Sequence, residues 1–160
     1  MMSVNSTARS MTLPLGLTQR RIYGGPYSKK PRHMIGVKLA PEVPGNANYI
    51  VPIRDFGVPT DLTNLNYTVA KVLHLLADNE RPVYVGCYGG QGRTGLFLAL
   101  VAKATGVGDP VAYVRENFNP KAVETEAQEE YVDMYESPLT WRDKLSLIWT
   151  SFWRGCTPKV

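Results

Sequence analysis

The chain contains, at residues 83–95, the sequence Val83-Tyr84-Val85-Gly86-Cys87-Tyr88-Gly89-Gly90-Gln91-Gly92-Arg93-Thr94-Gly95. Its first three residues are β-branched or aromatic, which is typical of a short buried strand. The segment from Thr94 to Thr105 is apolar on every side, which predicts a buried helix. The glycine-rich residues between the two are therefore predicted to form a loop that joins the carboxyl end of a strand to the amino end of a helix.

This loop has the composition of an anion-binding site. Three glycines between Cys87 and Arg93 allow backbone N–H groups to turn inward, and the helix that follows adds its N-terminal donors and its dipole. Such surroundings favour the thiolate, which is the nucleophilic form of cysteine. The Arg93 guanidinium can bind two phosphoryl oxygens at once, which a lysine could not reproduce. The Thr94 hydroxyl is placed to donate a hydrogen bond to the sulfur.

The string C-x-x-G-x-G-R-T-G at residues 87–95 resembles the signature loop of the protein tyrosine phosphatase superfamily, and the small size of the chain resembles its dual-specificity branch. The resemblance implies that Cys87 attacks phosphorus and that Arg93 binds the phosphoryl group. It also implies hydrolysis through a phosphocysteine, with no metal and no organic cofactor. The loop residues that it implies for phosphate binding are Tyr88, Gly89, Gly90, Gln91, Gly92 and Arg93.

The same resemblance calls for an aspartate on an upstream loop, where it would protonate the leaving oxygen. Asp55 precedes Cys87 by 32 positions, and the surrounding residues 52–59 resemble the P-x-x-D-x-G-x-P general-acid loop of several dual-specificity phosphatases. Asp61 is the rival carboxylate. Because it stands directly before an amphipathic helix, it is predicted to cap that helix or to supply charge to its first turn.

Farther along, residues 122–131 resemble the T-x-x-Q helix start that lies behind the active-site loop in this superfamily. In tyrosine-specific members a glutamine just before that threonine positions the hydrolytic water, but this chain has Glu124 there. Gln128 is therefore assigned either an accessory role in the site or a role in a capping box with Thr125.

Two further positions bear on the activity. The family usually has histidine directly before the cysteine, where this chain has Gly86, so a catalytically weak phosphate-binding module stays open as an alternative. Inositol-lipid phosphatases of the superfamily carry lysines in the loop, where this chain has Tyr88 and Gln91. The loop therefore does not favour a polyphosphoinositide substrate.

The rest of the chain predicts alternating strands and helices. Strands are expected at residues 35–39 and 49–53, and a helix over residues 61–80 carries apolar residues at steps of three and four. Further helices are expected from Asp109-Pro110 to about residue 120, from Thr125 to about Tyr135, and from Thr140 through Phe152. This pattern predicts a single compact α/β domain in which helices flank a central, mainly parallel sheet.

The charge is unevenly distributed along the chain. Seven of the 18 basic residues and none of the acids lie in residues 1–40, although the net charge is only +4. Residues 1–33 are predicted to form a basic, partly disordered arm, residues 34–154 the cysteine phosphatase domain, and residues 155–160 a tail. The arm is interpreted either as a solvated leader or as a surface that attracts an anionic partner such as nucleic acid.

The composition also bears on location. Two cysteines are too few for a disulfide framework, which favours a reducing cytoplasm. No apolar run reaches the ~20 residues that span a bilayer, and no secretory signal is recognised at the start, so no transmembrane segment is expected. The C-terminal helix is rich in tryptophan and arginine, and it is interpreted either as packed on the domain or as a membrane-surface or partner helix. The oligomeric state is left open.

Together with these observations, the resemblance implies a phosphomonoester hydrolase whose expected substrates are phosphotyrosine or mixed phosphotyrosine and phosphoserine/threonine proteins. A 5′-phosphatase of RNA is an alternative that would suit the basic arm. A rhodanese-like sulfur transferase is another, but it would need no general acid, so a requirement for Asp55 would count against it.

Overall fold

The computed structural model describes residues 8–156, and its central feature is one five-stranded sheet in the order β1-β2-β5-β3-β4. The strands are β1 (Arg9–Leu15), β2 (Thr18–Pro26), β3 (Ile35–Lys38), β4 (Tyr49–Ile50) and β5 (Val83–Cys87). β1 pairs antiparallel with β2, whereas the other three pairings are parallel. The predicted single α/β domain with a mainly parallel sheet is confirmed.

Within residues 8–156, five α-helices and one short 3₁₀ helix surround the sheet. They are the 3₁₀ helix Tyr27–Lys29 and the helices α1 (Leu62–Asp78), α2 (Gly92–Ala104), α3 (Pro110–Asn117), α4 (Glu126–Met134) and α5 (Trp141–Cys156). α2 packs against β5, α3 and α4, while α1 packs against α5. Every residue of α2 except Lys103 is buried, as its apolar sequence predicts. Among the described residues, no helix has both the length and the apolar character needed to cross a bilayer.

The capping residues follow the sequence predictions. The Asp61 carboxylate accepts a hydrogen bond from the Asn64 N–H at 2.9 Å and so caps α1. Asp109 caps α3 in the same way, with Pro110 in its first turn. Thr125 caps α4. These bonds satisfy N–H groups that the helices cannot pair internally.

The prediction of a partly disordered arm before residue 34 is wrong for residues 8–33, which form the β1–β2 hairpin and the 3₁₀ helix. Met11, Leu13 and Leu15 alternate with partly exposed residues along β1 and are buried. Pro14 is tolerated because β1 is an edge strand, where a missing N–H leaves no ladder bond broken. Residues 1–7 of the predicted arm lie outside the described residues.

Two other boundaries differ from the predictions. β4 has two residues instead of five, because Pro52 interrupts the pairing, although Val51 and Ile53 stay buried and donate to carbonyls at the end of β3. α5 continues to Cys156, so Gly155 and Cys156 of the predicted tail belong to the helix. Residues 157–160 of that tail lie outside the described residues.

Candidate active site

The loop at residues 88–91 connects β5 to α2 and is packed against β2. Pro26 of β2 stands opposite Cys87 in the parallel register, so the end of β2 borders the loop. Gly90 has φ of 73°, and a Cβ there would lie 2.3 Å from the carbonyl carbon of Gly25. Only glycine fits this position, because both the left-handed backbone and the close approach exclude a side chain.

Cys87 is 3% exposed and its sulfur accepts two hydrogen bonds. The Gly90 N–H donates to Sγ at 3.2 Å, and the Thr94 hydroxyl donates to Sγ at 3.1 Å. One donor thus comes from the loop and the other from the first turn of α2. The structure therefore brings Thr94 and the loop to the sulfur as the sequence predicts, while their catalytic roles stay predictions.

Arg93 lies at the start of α2 and is buried, with its guanidinium held by the loops that follow β3 and β4. Nη1 donates to the Ile53 carbonyl at 3.0 Å, and Nη2 forms an ion pair with Glu42 Oε1 at 2.7 Å. Asp55 Oδ1 lies 3.7 Å from the same Nη2. A guanidinium has five N–H donors, so these partners still leave donors for two phosphoryl oxygens.

The charges around Arg93 reinforce one another. Burial alone lowers the pKa of Arg93, but the hydrogen bond to Glu42 and the negative charges of Cys87, Glu42 and Asp55 outweigh burial, so this pKa is raised overall. The same hydrogen bond holds the pKa of Glu42 below its usual range. Arg93 and Glu42 therefore remain oppositely charged across the neutral pH range.

Glu42 is the site residue that the sequence analysis missed. It lies in the loop between β3 and β4, and Lys38 anchors this loop by donating from Nζ to the carbonyls of Val43 at 2.9 Å and Gly45 at 3.0 Å. Lys38 stands opposite Gly86 in the parallel register, so residues that follow β3 emerge at the same sheet edge as Cys87. Glu42 could have been identified as an acid that comes just after a predicted strand, because ligands bind at the carboxyl ends of parallel strands.

Asp55 projects from a tight turn. The Gly57 N–H donates to the Arg54 carbonyl at 2.8 Å, and Phe56 adopts φ of 59°, a left-handed conformation that is uncommon for a non-glycine residue. The Asp55 side chain is 64% exposed. It lines the same cleft as Cys87, whereas Asp61 does not line it and caps α1.

The start of α4 holds the Asp55 loop in place. Gln128 is fully buried, and its Nε2 donates to the Gly57 carbonyl at 2.9 Å, while its Oε1 accepts from the Glu124 N–H at 2.8 Å. The Thr125 hydroxyl donates to the Phe56 carbonyl at 3.3 Å. The capping box is thus half formed, because the Gln128 N–H donates to Thr125 Oγ1 but its side chain reaches Glu124 instead of the Thr125 N–H. Gln128 therefore links α4 to the loop of the predicted general acid.

These loops enclose a cleft of about 180 Å³ above the sulfur. Its lining residues are Asp55, Phe56, Cys87, Tyr88, Gly89, Gln91, Gly92, Arg93 and Glu124. Tyr88 and Phe56 are exposed and form an aromatic rim, while Asp55 and Glu124 place carboxylates beside it. Most of the predicted phosphate-binding residues line this cleft, and Gly90 contributes its N–H to the sulfur.

Gly86 has a structural reason to differ from the histidine that is usual at this position. A Cβ on Gly86 would lie 2.8 Å from the Tyr27 Cα and 2.9 Å from the Gly25 carbonyl oxygen. Both contacts are with backbone atoms, which cannot move aside at low cost. The close packing of β2 and the 3₁₀ helix against β5 therefore excludes a side chain here.

Comparison with known proteins points to one group. The family model described as "PTP-SAK: Swiss Army Knife protein, DSP-PTPase phosphatase domain" matches residues 33–134. Two uncharacterized proteins of Methanocaldococcus jannaschii are 46% and 44% identical to the chain, each over 85 residues. These alignments cover 53% of the chain and 56% and 52% of the two relatives, so the chain spans about half the length of the curated relatives it matches.

A solved structure shares the fold. The crystal structure of kinase associated phosphatase, with its catalytic-site cysteine substituted by serine, matches with a TM-score of 0.59. The match covers 89% of the present chain and 98% of that chain at 18% identity. At this level of identity the likeness concerns the fold alone.

Proposed function

Because the chain belongs to the DSP-PTPase phosphatase domain family of Swiss Army Knife proteins, we propose that it hydrolyses phosphomonoesters through a phosphocysteine formed on Cys87. The observation that carries this proposal is the pair of donors on the sulfur, Thr94 and the Gly90 N–H, beside the buried Arg93 guanidinium. A thiolate held in this way faces the position where Arg93 and the loop N–H groups would hold a phosphoryl group.

In the first proposed step, the Cys87 thiolate attacks phosphorus and the bond between phosphorus and the leaving oxygen breaks. Asp55 gives its proton to that oxygen, so the product leaves as a neutral alcohol or phenol. Arg93 binds two of the other phosphoryl oxygens through remaining N–H donors, and Glu42 with the Ile53 carbonyl keeps the guanidinium oriented.

In the second proposed step, the Asp55 carboxylate takes a proton from water and the water oxygen attacks phosphorus. The sulfur–phosphorus bond breaks, inorganic phosphate leaves, and Cys87 departs as a thiolate that accepts hydrogen bonds from Thr94 and Gly90 again. The proton that Asp55 lost in the first step is thus restored, and the cycle closes with water as the only co-reactant.

Phosphorylated protein, with phosphotyrosine as the leading target, is the proposed substrate class. Phe56 and Tyr88 offer exposed aromatic faces on which a phenyl ring can stack. Asp55 and Glu124 line the cleft, and Glu42 lies directly behind Arg93, so additional phosphates on a substrate would meet negative charge. This arrangement favours a single phosphoryl group over an RNA triphosphate or a polyphosphoinositide.

Two of the basic residues near the amino terminus, Arg20 and Lys30, are used by the fold, whereas Arg21, Lys29 and Arg32 are exposed. Arg20 donates to the carbonyls of Leu76 and Ser151, and Lys30 donates to those of Pro31 and Met34. Because Arg20 and Lys30 are bound to backbone carbonyls of the fold, they are poorly placed to bind phosphates of a nucleic acid.

A panel of phosphotyrosine and phosphoserine peptides and 5′-triphosphorylated RNA, assayed in chelator, distinguishes protein substrates from RNA substrates. Faster phosphate release from RNA than from the peptides would make the RNA alternative correct.

The general-acid assignment is tested by replacing Asp55. For Asp55→Asn we expect hydrolysis of a phosphotyrosine peptide or an alkyl phosphate to fall by ~10²- to 10⁴-fold, because a basic leaving oxygen needs a proton. An activated aryl phosphate with a weakly basic leaving group should suffer less. Rapid-quench rates of phosphocysteine formation across a series of aryl phosphates measure this dependence without interference from the second step.

Asp61→Asn is the matched control for that experiment. Asparagine caps a helix nearly as well as aspartate, so this variant should keep both its stability and its leaving-group dependence. If Asp61→Asn gave the steeper dependence and Asp55→Asn did not, the acid would have been assigned to the wrong carboxylate.

A further inference from the structure

Helix α5 presents an apolar face that points away from the domain. Its inner side is fixed by Leu147 and Ser151, which are buried. The Ser151 hydroxyl donates to the Leu15 carbonyl at 3.1 Å, and the Ser151 carbonyl accepts from Arg20 Nη2 at 2.7 Å. The exposed large apolar residues of the helix are Trp141, Leu145, Ile148, Trp149, Phe152 and Trp153.

These exposed residues form one stripe along the helix. Trp141, Leu145, Trp149 and Phe152 follow one another at steps of four, four and three, which places them on a single helical face. Leu147 and Ser151 lie on the other side, against the hairpin. All three tryptophans of the chain are in this helix.

The hairpin turn extends the same surface. Leu17 is 85% exposed at the tip between β1 and β2. The preceding residue, Gly16, is so close to α5 that a Cβ on it would lie 2.6 Å from Ile148 Cγ2. An exposed leucine therefore stands beside the stripe of α5, and the two form one surface, which we call the α5 face.

The shape of the α5 face suits the surface of a bilayer. A helix of 16 residues is about 24 Å long and about 10 Å wide. Such a narrow, convex, apolar ridge can bind a bilayer without a complementary groove, because an interfacial helix needs only to embed one face among lipid headgroups.

The chemistry of the α5 face also suits a membrane surface. Tryptophan is favoured at the boundary between water and lipid, where its ring is partly apolar and its N–H stays hydrated. The helix carries three basic residues and one acid, and that acid, Asp143, accepts hydrogen bonds from the N–H and hydroxyl of Thr140 at its start. Arg142 lies over the Trp141 ring at 5.2 Å, and Lys144 is exposed.

We propose that the α5 face, with Leu17, binds the surface of a membrane rich in anionic lipid, with the helix lying in the plane of that surface. The tryptophan rings and leucines enter the headgroup region, while Arg142 and Lys144 attract lipid phosphates and carboxylates.

This mode of binding directs the candidate active site away from the lipid. β2 runs parallel to β5 with Pro26 opposite Cys87, and Thr18, at the start of β2, is eight residues earlier. Eight strand residues span about 26 Å. Along the direction of β2, the hairpin turn that contacts α5 is therefore about 26 Å from Cys87. Membrane-bound protein would therefore act on substrates that reach it from the aqueous side.

The full chain can be tested directly, because its tryptophan fluorescence comes only from α5. On addition of phosphatidylcholine vesicles with about 30 mol% phosphatidylserine, we expect the emission to shift to shorter wavelength and the protein to float with the vesicles. Pure phosphatidylcholine vesicles should bind at least ~10-fold more weakly. Arg142→Gln and Lys144→Gln should each weaken binding to the anionic vesicles about fivefold.

Trp149→Gln combined with Trp153→Gln should abolish flotation, with Trp141 left as the fluorescent reporter. Met134→Gln is the matched control, because Met134 is as exposed as these side chains but lies on α4. Far-UV circular dichroism and hydrolysis of a soluble aryl phosphate should be unchanged in every variant, since the altered side chains lie outside the cleft.

Three results would overturn the proposal. One is the absence of any fluorescence shift or flotation with anionic vesicles. The second is equal binding to neutral and anionic vesicles, which would remove the role of the basic residues. The third is a blue shift that grows with protein concentration in the absence of vesicles, together with a dimeric mass in sedimentation equilibrium, which would show that a second copy covers the α5 face.

Discussion

Replacing Glu42 tests whether Arg93 is held in place by its ion pair. In Glu42→Gln the amide oxygen can still accept a hydrogen bond from Arg93 Nη2, but the 2.7 Å contact loses its charge. A hydrogen bond to a charged group contributes about 1.5–3 kcal/mol and a neutral one about 1 kcal/mol, so the loss is at most about 2 kcal/mol. Because the Glu42 side chain is 51% exposed, solvent screening reduces this to about 1 kcal/mol, or roughly a fivefold fall in kcat/KM.

Glu42→Ala should be more damaging. It removes the acceptor altogether, and the buried guanidinium keeps the Ile53 carbonyl at 3.0 Å and the more distant Asp55 at 3.7 Å. An unsatisfied buried donor costs about 1–3 kcal/mol, so kcat/KM should fall roughly 5- to 150-fold. The guanidinium would also turn toward Asp55 and away from the phosphoryl group.

Steady-state kinetics with a phosphotyrosine peptide and the dissociation constant of vanadate measure both variants. Glu80→Gln is the matched control, because it neutralises one member of an exposed pair with Arg154 at the other end of the sheet. It should leave both quantities unchanged. If Glu42→Gln and Glu42→Ala both behaved like Glu80→Gln, Glu42 would have no part in orienting Arg93.

Two further predictions concern positions that the packing constrains. Gly86→Ala should lower the free energy of unfolding, measured by urea denaturation, by about 1–3 kcal/mol, because the added Cβ meets the backbone of Tyr27 and Gly25. Gly89→Ala is the control, since no atom lies within 4 Å of its Cβ, and it should change the free energy of unfolding by less than about 0.5 kcal/mol. Equal effects of the two would contradict the packing argument for Gly86. Gln128→Ala should release the Asp55 loop and slow alkyl phosphate hydrolysis roughly 10-fold, with a smaller effect on activated aryl phosphates. A loss of stability with the leaving-group dependence unchanged would make Gln128 structural only.

The site could be predicted from the sequence where its chemistry is local. Cys87, Arg93 and Thr94 lie within one loop and one helix turn, so their spacing alone places them together. Asp55 was identified because the residues around it resemble a known loop. Glu42 was missed because it is 51 positions from Arg93, and their contact depends on the register of β3 beside β5. A single sequence does not show which parallel strands are neighbours.

The N-terminal hairpin was missed for a related reason. Gly24-Gly25-Pro26 is typical of a turn, yet these residues form the end of β2. A Cβ on Gly24 would lie 3.0 Å from both Phe118 and Thr94, and the backbone of Gly25 approaches Gly90 in the loop. These glycines are required by close tertiary contacts that the local sequence does not reveal.

The phosphocysteine itself is the most direct measurement of the proposed chemistry. The protein should be mixed in chelator with a phosphate-labelled aryl substrate, quenched in denaturant during turnover, and digested. We expect stoichiometric label on the peptide that contains Cys87, and no label or turnover for Cys87→Ser, which should still bind vanadate through Arg93 and the loop N–H groups. Turnover without labelled Cys87, or Cys87→Ser with more than about a few per cent of wild-type activity, would contradict the proposed mechanism.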